Sequence, residues 1–221
     1  MMRVRVKICG LTRIGDVATA VAAGADALGF VFAPGSPRRL TPTEAAPLAR
    51  SIPPLVTGIG LFVNAPAEEV DETLRITGLR AVQFHGEESP DYCARFRGRV
   101  TVIKAFRIRA RNSLDGLPAY TDCSDGWLLD AYSPGSHGGT GQQFDWSLAE
   151  AVRNLSHPIL VAGGLNADNV GDAIQRFRPY AVDVSSGVES APGQKDAARV
   201  AAFVSAVRTA NFPTFDSPAL S

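Results

Sequence analysis

Two residues of unlike acidity stand at the ends of short apolar runs: Cys9 closes VRVKIC, and Asp130 closes WLLD. A thiol and a carboxyl brought to one ligand form a base and an acid for moving protons at carbon and oxygen. Asp130 is followed by the loop SPGSHGGTG (133–141), and two more glycine turns, GGL (163–165) and SSG (185–187), close later runs. Glycine lets backbone N–H groups approach an anion closely, and a helix start beyond it adds a favourable dipole. The combination points to acid–base chemistry on a phosphorylated small molecule.

Each residue also has a plainer reading. A lone cysteine such as Cys9 is commonly a small core hydrophobe. Asp130 has the alternative of capping a helix, but Ala131, Tyr132, Ser133 and Pro134 open a loop instead. A carboxylate ending an apolar run is costly without a task or a partner. Cys93, inside a helical pattern, and Cys123, ahead of a strand, read as structural. The segment SPRRL supplies Arg38 and Arg39, which are solvated charges or a second anion contact, since arginine's fork matches a carboxylate. His85 is either a ligand contact or a satisfied interior polar group.

These residues need elements that bring them together. Eight β-rich runs recur along the chain: 4–9, 27–32, 57–63, 81–86, 101–106, 127–131, 158–164 and 181–187. Helical patterns separate them, such as RIGDVATAVAAG with its glycine stop, PTEAAPLARSI with an early proline, and a last one from about Lys195 to Thr209. Repeated βα units argue for a parallel sheet. Eight of them suit a single α/β domain, a (β/α)8 TIM barrel over residues 1–210, with 211–221 as a loose extension. The alternative, an open doubly wound sheet, would carry G-x-G-x-x-G after its first strand, and CGLTRIGD lacks it. Active sites of barrels lie at the C-terminal strand ends, where Cys9 and Asp130 both fall, and phosphate commonly sits on the loops after strands seven and eight.

Strand parity assigns faces. Val4, Val6 and Ile8 point to the helices, whereas Arg5, Lys7 and Cys9 point into the barrel. Gln83 and His85 share a face, as do Asp183 and Ser185. Lys7, Lys104 and Asp183 are expected as interior charges, forming an ion network, placing an ammonium where it favours a Cys9 thiolate, or both.

Composition narrows the function class. Lys+Arg and Asp+Glu both number 22, so no global basic field recommends nucleic acid or an anionic membrane as a partner. No apolar run approaches a membrane span and no leader pattern opens the chain. Three cysteines without metal-ligand spacing suggest free thiols in a reducing cytoplasm and no metal.

The ordered set VKICGLT, DALGFVF with SPR, VQFHGEE, LLDAYSPGSHGGTGQQFDW, LVAGGLNADNV and AVDVSSGVESAPGQKD closely resembles the phosphoribosylanthranilate isomerase family of tryptophan biosynthesis, from about Val4 to Val207. That resemblance implies an Amadori rearrangement of N-(5-phosphoribosyl)anthranilate to the carboxyphenylamino-deoxyribulose phosphate, without cofactor or metal. By motif it makes Cys9 the general base, Asp130 the general acid and Arg38 the partner of the anthranilate carboxylate. It puts the phosphate on Gly141, Gly164, Ser186 and Gly187, and gives Arg39 no role. The partner implied is the small-molecule substrate. The chain is expected as a monomer or homodimer, and the glycine-rich stretch Ser133–Gly141 is the best candidate for a mobile lid.

The chemistry sets a demand. Ordinary aspartate and cysteine rest at neutral pH as carboxylate and thiol, the reverse of an acid and a base. Lys7 is expected to favour the thiolate, and an apolar surround from Leu128 and Leu129 to favour the protonated acid. Two rivals remain at this level: the related sugar-phosphate isomerase of histidine biosynthesis, which has an aspartate where Cys9 stands, and a catalytically silent phosphate-binding barrel.

Overall fold

The structure, a computed structural model, describes residues 3–108, 111–130, 151–152, 155 and 157–210. Eight parallel strands form a closed barrel in chain order: β1 (Arg5–Cys9), β2 (Ala27–Val31), β3 (Thr57–Phe62), β4 (Ala81–Phe84), β5 (Thr101–Arg107), β6 (Gly126–Asp130), β7 (Ile159–Ala162) and β8 (Ala181–Val184). β1 pairs with both β2 and β8, which seals the sheet and leaves no barrel edge. The open-sheet alternative is thereby excluded.

Helices cover the outside: α1 (Ile14–Ala23), α2 (Pro42–Arg50), α3 (Ala67–Thr77), the single-turn α4 (Pro90–Ala94), α5 (Val170–Phe177) and α6 (Ala197–Thr209). Their ends follow local chemistry. α1 stops at Gly24, whose φ of 96° is left-handed and suits glycine. α2 opens on a reciprocal capping box between Thr41 and Glu44, with Pro42 in its first turn. Asp196 caps α6 by accepting from the Arg199 amide. Between β5 and β6 the described residues form two 3-10 turns, Arg111–Leu114 and Leu117–Tyr120, rather than the helix expected in every gap. Gly116 and Pro118 interrupt this stretch, so no α-helical run of useful length fits.

Parity holds for β1, β4 and β8. Val4, Val6, Ile8, Val82, Phe84, Val182 and Val184 join the large core between barrel and helices. A second, smaller cluster fills the barrel: Ile59, Ala81, Ile103, Ala105, Leu128, Leu160, Ala162 and Ala181. Lys7, Gln83 and Asp183 are buried among the inward residues.

Two expectations are corrected. Lys104 is buried, but it alternates with Ile103 and Ala105 and so faces the helix side, beside Glu88 and over the rings of Phe106 and Tyr120. Leu129 likewise belongs to the outer core; only Leu128 faces inward beside Asp130. The cause in both cases is the two-residue period of a strand.

Candidate active site

One end of the barrel opens into a cavity of about 390 Å³, within the range of small-molecule sites. Cys9, His85 and Asp130 line it from β1, the turn after β4, and β6. Arg38 lines it from the loop after β2, and Gly164, Ser186 and Gly187 from the loops after β7 and β8. Gly141 and the expected lid at Ser133–Gly141 lie outside the described residues. Arg39 is exposed and is absent from this lining, while its main chain bridges to Val31.

Space for the thiol comes from β2. Cys9 is in register with Gly29, where a β-carbon would lie 2.6 Å from Cys9 Sγ and 3.1 Å from its Cα. A side chain at that position would displace the sulfur. Burial pushes the Cys9 thiol above its ordinary pKa, and Asp183 adds to this, while Lys7 and Lys195 pull the other way. The expected thiolate-favouring effect of Lys7 is therefore present but outweighed. Lys7 itself donates to Asp183 Oδ1 at 3.0 Å and Gln83 Oε1 at 2.8 Å. Burial alone would lower its pKa, yet Asp183 and Cys9 leave it raised.

His85 is a partnered polar residue on the cavity wall. It lines the cavity, its Nε2 lies 3.3 Å from Asp130 Oδ2, and its Nδ1 lies 3.1 Å from Gln83 Nε2. The imidazole and carboxylate side chains keep 18% and 21% exposure, so Asp130 meets both the ligand space and a polar partner rather than an apolar surround. The turn carrying His85 is pinned from behind. Glu88 accepts from the amides of Asn64 (2.8 Å) and Gly86 (2.9 Å), and Lys104 Nζ lies 3.2 Å from it.

Arg38 is held by a residue that sequence reading passed over. Its Nε and Nη2 donate to the two carboxylate oxygens of Glu189 at 2.8 and 2.6 Å. Glu189 begins β9 (Glu189–Ala191), which forms a small hairpin with β10 (Gln194–Lys195) beyond β8. Lys195 Nζ donates to the same carboxylate at 2.7 Å and to the Ser185 carbonyl at 3.1 Å. Burial would raise the Glu189 pKa, but the bonds from Arg38 and Lys195 hold it below the ordinary value. The signal available in sequence was a charged pair, Glu189 and Lys195, bracketing a Pro-Gly turn. The Arg38 side chain crosses Gly10, where a β-carbon would lie 2.3 Å from Arg38 Cδ and where φ is 77°.

The turns after β7 and β8 interlock. Gly163 and Gly164 adopt φ of 98° and 64°, conformations open to glycine. A β-carbon on Gly187 would lie 1.9 Å from the Leu165 carbonyl oxygen. Among the described residues no group of three or more His, Cys, Asp or Glu could hold a metal ion.

A profile of the N-(5'-phosphoribosyl)anthranilate (PRA) isomerase family matches residues 6–206. The chain is 52% identical over 201 residues to an N-(5'-phosphoribosyl)anthranilate isomerase of Trichlorobacter lovleyi, covering 91% of this chain and 96% of that one. To the one of Chromohalobacter salexigens it is 53% identical over 213 residues, covering 96% and 98%. The phosphoribosyl anthranilate isomerase structure from Thermotoga maritima superposes with a TM-score of 0.87 at 40% identity, covering 92% of this chain and 98% of that one. A phosphoribosyl anthranilate isomerase solved with reduced 1-(o-carboxyphenylamino)-1-deoxyribulose 5-phosphate superposes with a TM-score of 0.83 at 39% identity, with the same coverage.

Proposed function

Because this chain belongs to the N-(5'-phosphoribosyl)anthranilate isomerase family, we propose that it performs that family's Amadori rearrangement with Asp130 as general acid and Cys9 as general base. The protein is an isomerase of tryptophan biosynthesis. One observation carries the assignment of acid and base: Cys9 and Asp130 line one cavity, with Arg38 and the glycine turns after β7 and β8 on the same lining.

Asp130 gives its proton to the furanose ring oxygen as the C1'–O bond breaks, leaving an open-chain iminium. Cys9 takes the C2' proton; the C–H electrons form the C1'=C2' bond and the imine electrons return to nitrogen. The enolamine then loses the C2' hydroxyl proton and gains one at C1', giving the ketone. β1 and β6 stand three places apart around the closed barrel, so the acid and the base reach the sugar from different sides. Arg38 supports this reading through its geometry. Glu189 occupies the Nε–Nη2 edge of the guanidinium, which leaves the end-on edge for the anthranilate carboxylate. Gly164, Ser186 and Gly187 supply the seat for the phosphate.

Turnover of phosphoribosylanthranilate by wild type, Cys9→Ala and Asp130→Asn tests the assignment. Each variant is expected to lose about 10²–10⁴-fold in kcat, the share of a general acid or base, while still binding the reduced product analogue. Wild-type binding without turnover would instead support a silent phosphate-binding barrel. Activity surviving in one variant would remove that residue from its role.

A further inference from the structure

Gln83 is fully buried inside the barrel, and neither end of its amide is idle. Lys7 Nζ lies 2.8 Å from one end and His85 Nδ1 lies 3.1 Å from the other. An ammonium only donates, so the end facing Lys7 is the carbonyl oxygen, whichever way the amide is first drawn. The NH₂ end must then face the ring. Nδ1 of His85 can only accept from it, and a neutral imidazole that accepts at Nδ1 carries its hydrogen on Nε2. The opposite tautomer would set two donors against each other across 3.1 Å. The hydrogen on Nε2 is then the one available to Asp130, whose Oδ2 lies 3.3 Å from that nitrogen.

We infer that Gln83 is a positioning residue for the acid: it fixes His85 as the Nε2–H tautomer, and that hydrogen holds one oxygen of the Asp130 carboxyl. Lys7 sets the sense of the chain, and Asp183, accepting from Lys7 at 3.0 Å, anchors its far end on β8. The polar track Asp183–Lys7–Gln83–His85–Asp130 thus crosses the barrel from β8 through β1 and β4 to β6. With Oδ2 engaged, the proton that Asp130 delivers sits on Oδ1. As the carboxylate forms, the His85 N–H bond to it strengthens, so the interaction grows toward the transition state. The inference rests on the reading of Asp130 as the acid. Gln83 also borders the cavity, and its part in this scheme is played through His85.

The test reads the ring directly. Nitrogen-15 spectra of the histidine rings, with the His85 signals assigned by their loss in His85→Asn, are expected to show hydrogen on Nε2 and none on Nδ1. Gln83→Glu keeps the shape but accepts from both neighbours, so Nδ1 gains a hydrogen. The same variant should lose kcat by about 10²-fold, as for a misplaced catalytic group, with KM unchanged. A wild-type His85 carrying hydrogen on Nδ1 overturns the inference without any variant needing to fold. A Gln83→Glu protein with wild-type kcat overturns it as well. Full activity in Asp130→Asn alongside the expected spectrum would sink the acid assignment, and with it the kinetic role, while leaving the tautomer as stated.

Discussion

Cys9 stands between opposing influences, and burial wins: its thiol is pushed up despite two nearby ammonium groups. A thiol held up in this way reacts only through its ionised fraction, so alkylation of Cys9 by iodoacetamide should keep accelerating with pH through neutrality and beyond the ordinary thiol range. An alkylation rate already flat from pH 7 would mean that the ammonium groups, not burial, set the thiol. The neighbour that matters most for its placement carries no side chain. Gly29→Ala puts a methyl 2.6 Å from the sulfur, and overpacking of that kind costs about 1–3 kcal/mol. Denaturant unfolding should register that loss, and kcat should fall more than in a control Gly15→Ala, where the added carbon meets nothing within 4 Å. From sequence, Cys9 and Asp130 were legible because each interrupts an apolar strand at its tip. Gln83 was legible only as a face assignment, since its two partners come from strands remote in the chain.

At the scale of elements, the hairpin β9–β10 does what no barrel strand does: it reaches over to the β2 loop and orients Arg38 through Glu189. Glu189→Gln removes the charge that two cations share. Arg38 should then lose its fixed plane, raising KM by about 10-fold (~1.4 kcal/mol) with a smaller change in kcat; an unchanged KM would separate Arg38 from substrate binding. The elements themselves were largely readable. The capping box at Thr41, the glycine stop at Gly24 and the apolar parity of β1, β4 and β8 are local signals. The gap between β5 and β6 was not, because its 3-10 turns are held by side-chain contacts such as Tyr120 to the Glu88 carbonyl at 2.9 Å.

For the whole molecule, closure brings β8 beside β1 and so puts Lys7 in register with Asp183. Removing one member of a buried pair strands the other. Lys7→Met should therefore cost about 3–5 kcal/mol of stability. Adding Asp183→Leu should recover much of it, as read from urea unfolding; additive losses would mean the pair contributes no coupling. Acid stability follows from Glu189, whose folded pKa lies below its ordinary value of 4.5. Its contribution is complete above pH 4.5 and is lost as pH falls through the lower folded value. Glu189→Gln should flatten that part of the stability profile, measured by thermal unfolding between pH 6 and 3. No helix among the described residues is long and apolar enough to cross a membrane.

The sequence by itself determined the eight strands, the inward and outward faces of β1, β4 and β8, the placing of a thiol and a carboxyl at two strand tips, and the family, because these depend on residue type, two-residue periodicity and ordered motifs. Tertiary structure decided the rest: that Glu189 holds Arg38, that Lys104 braces a loop from outside the barrel, that burial outweighs Lys7 at Cys9, and that Gln83 links Lys7 to His85. Each of these is a contact or a solvent exclusion between residues distant in the chain. Their strength depends on distances and burial that exist only once the barrel has closed.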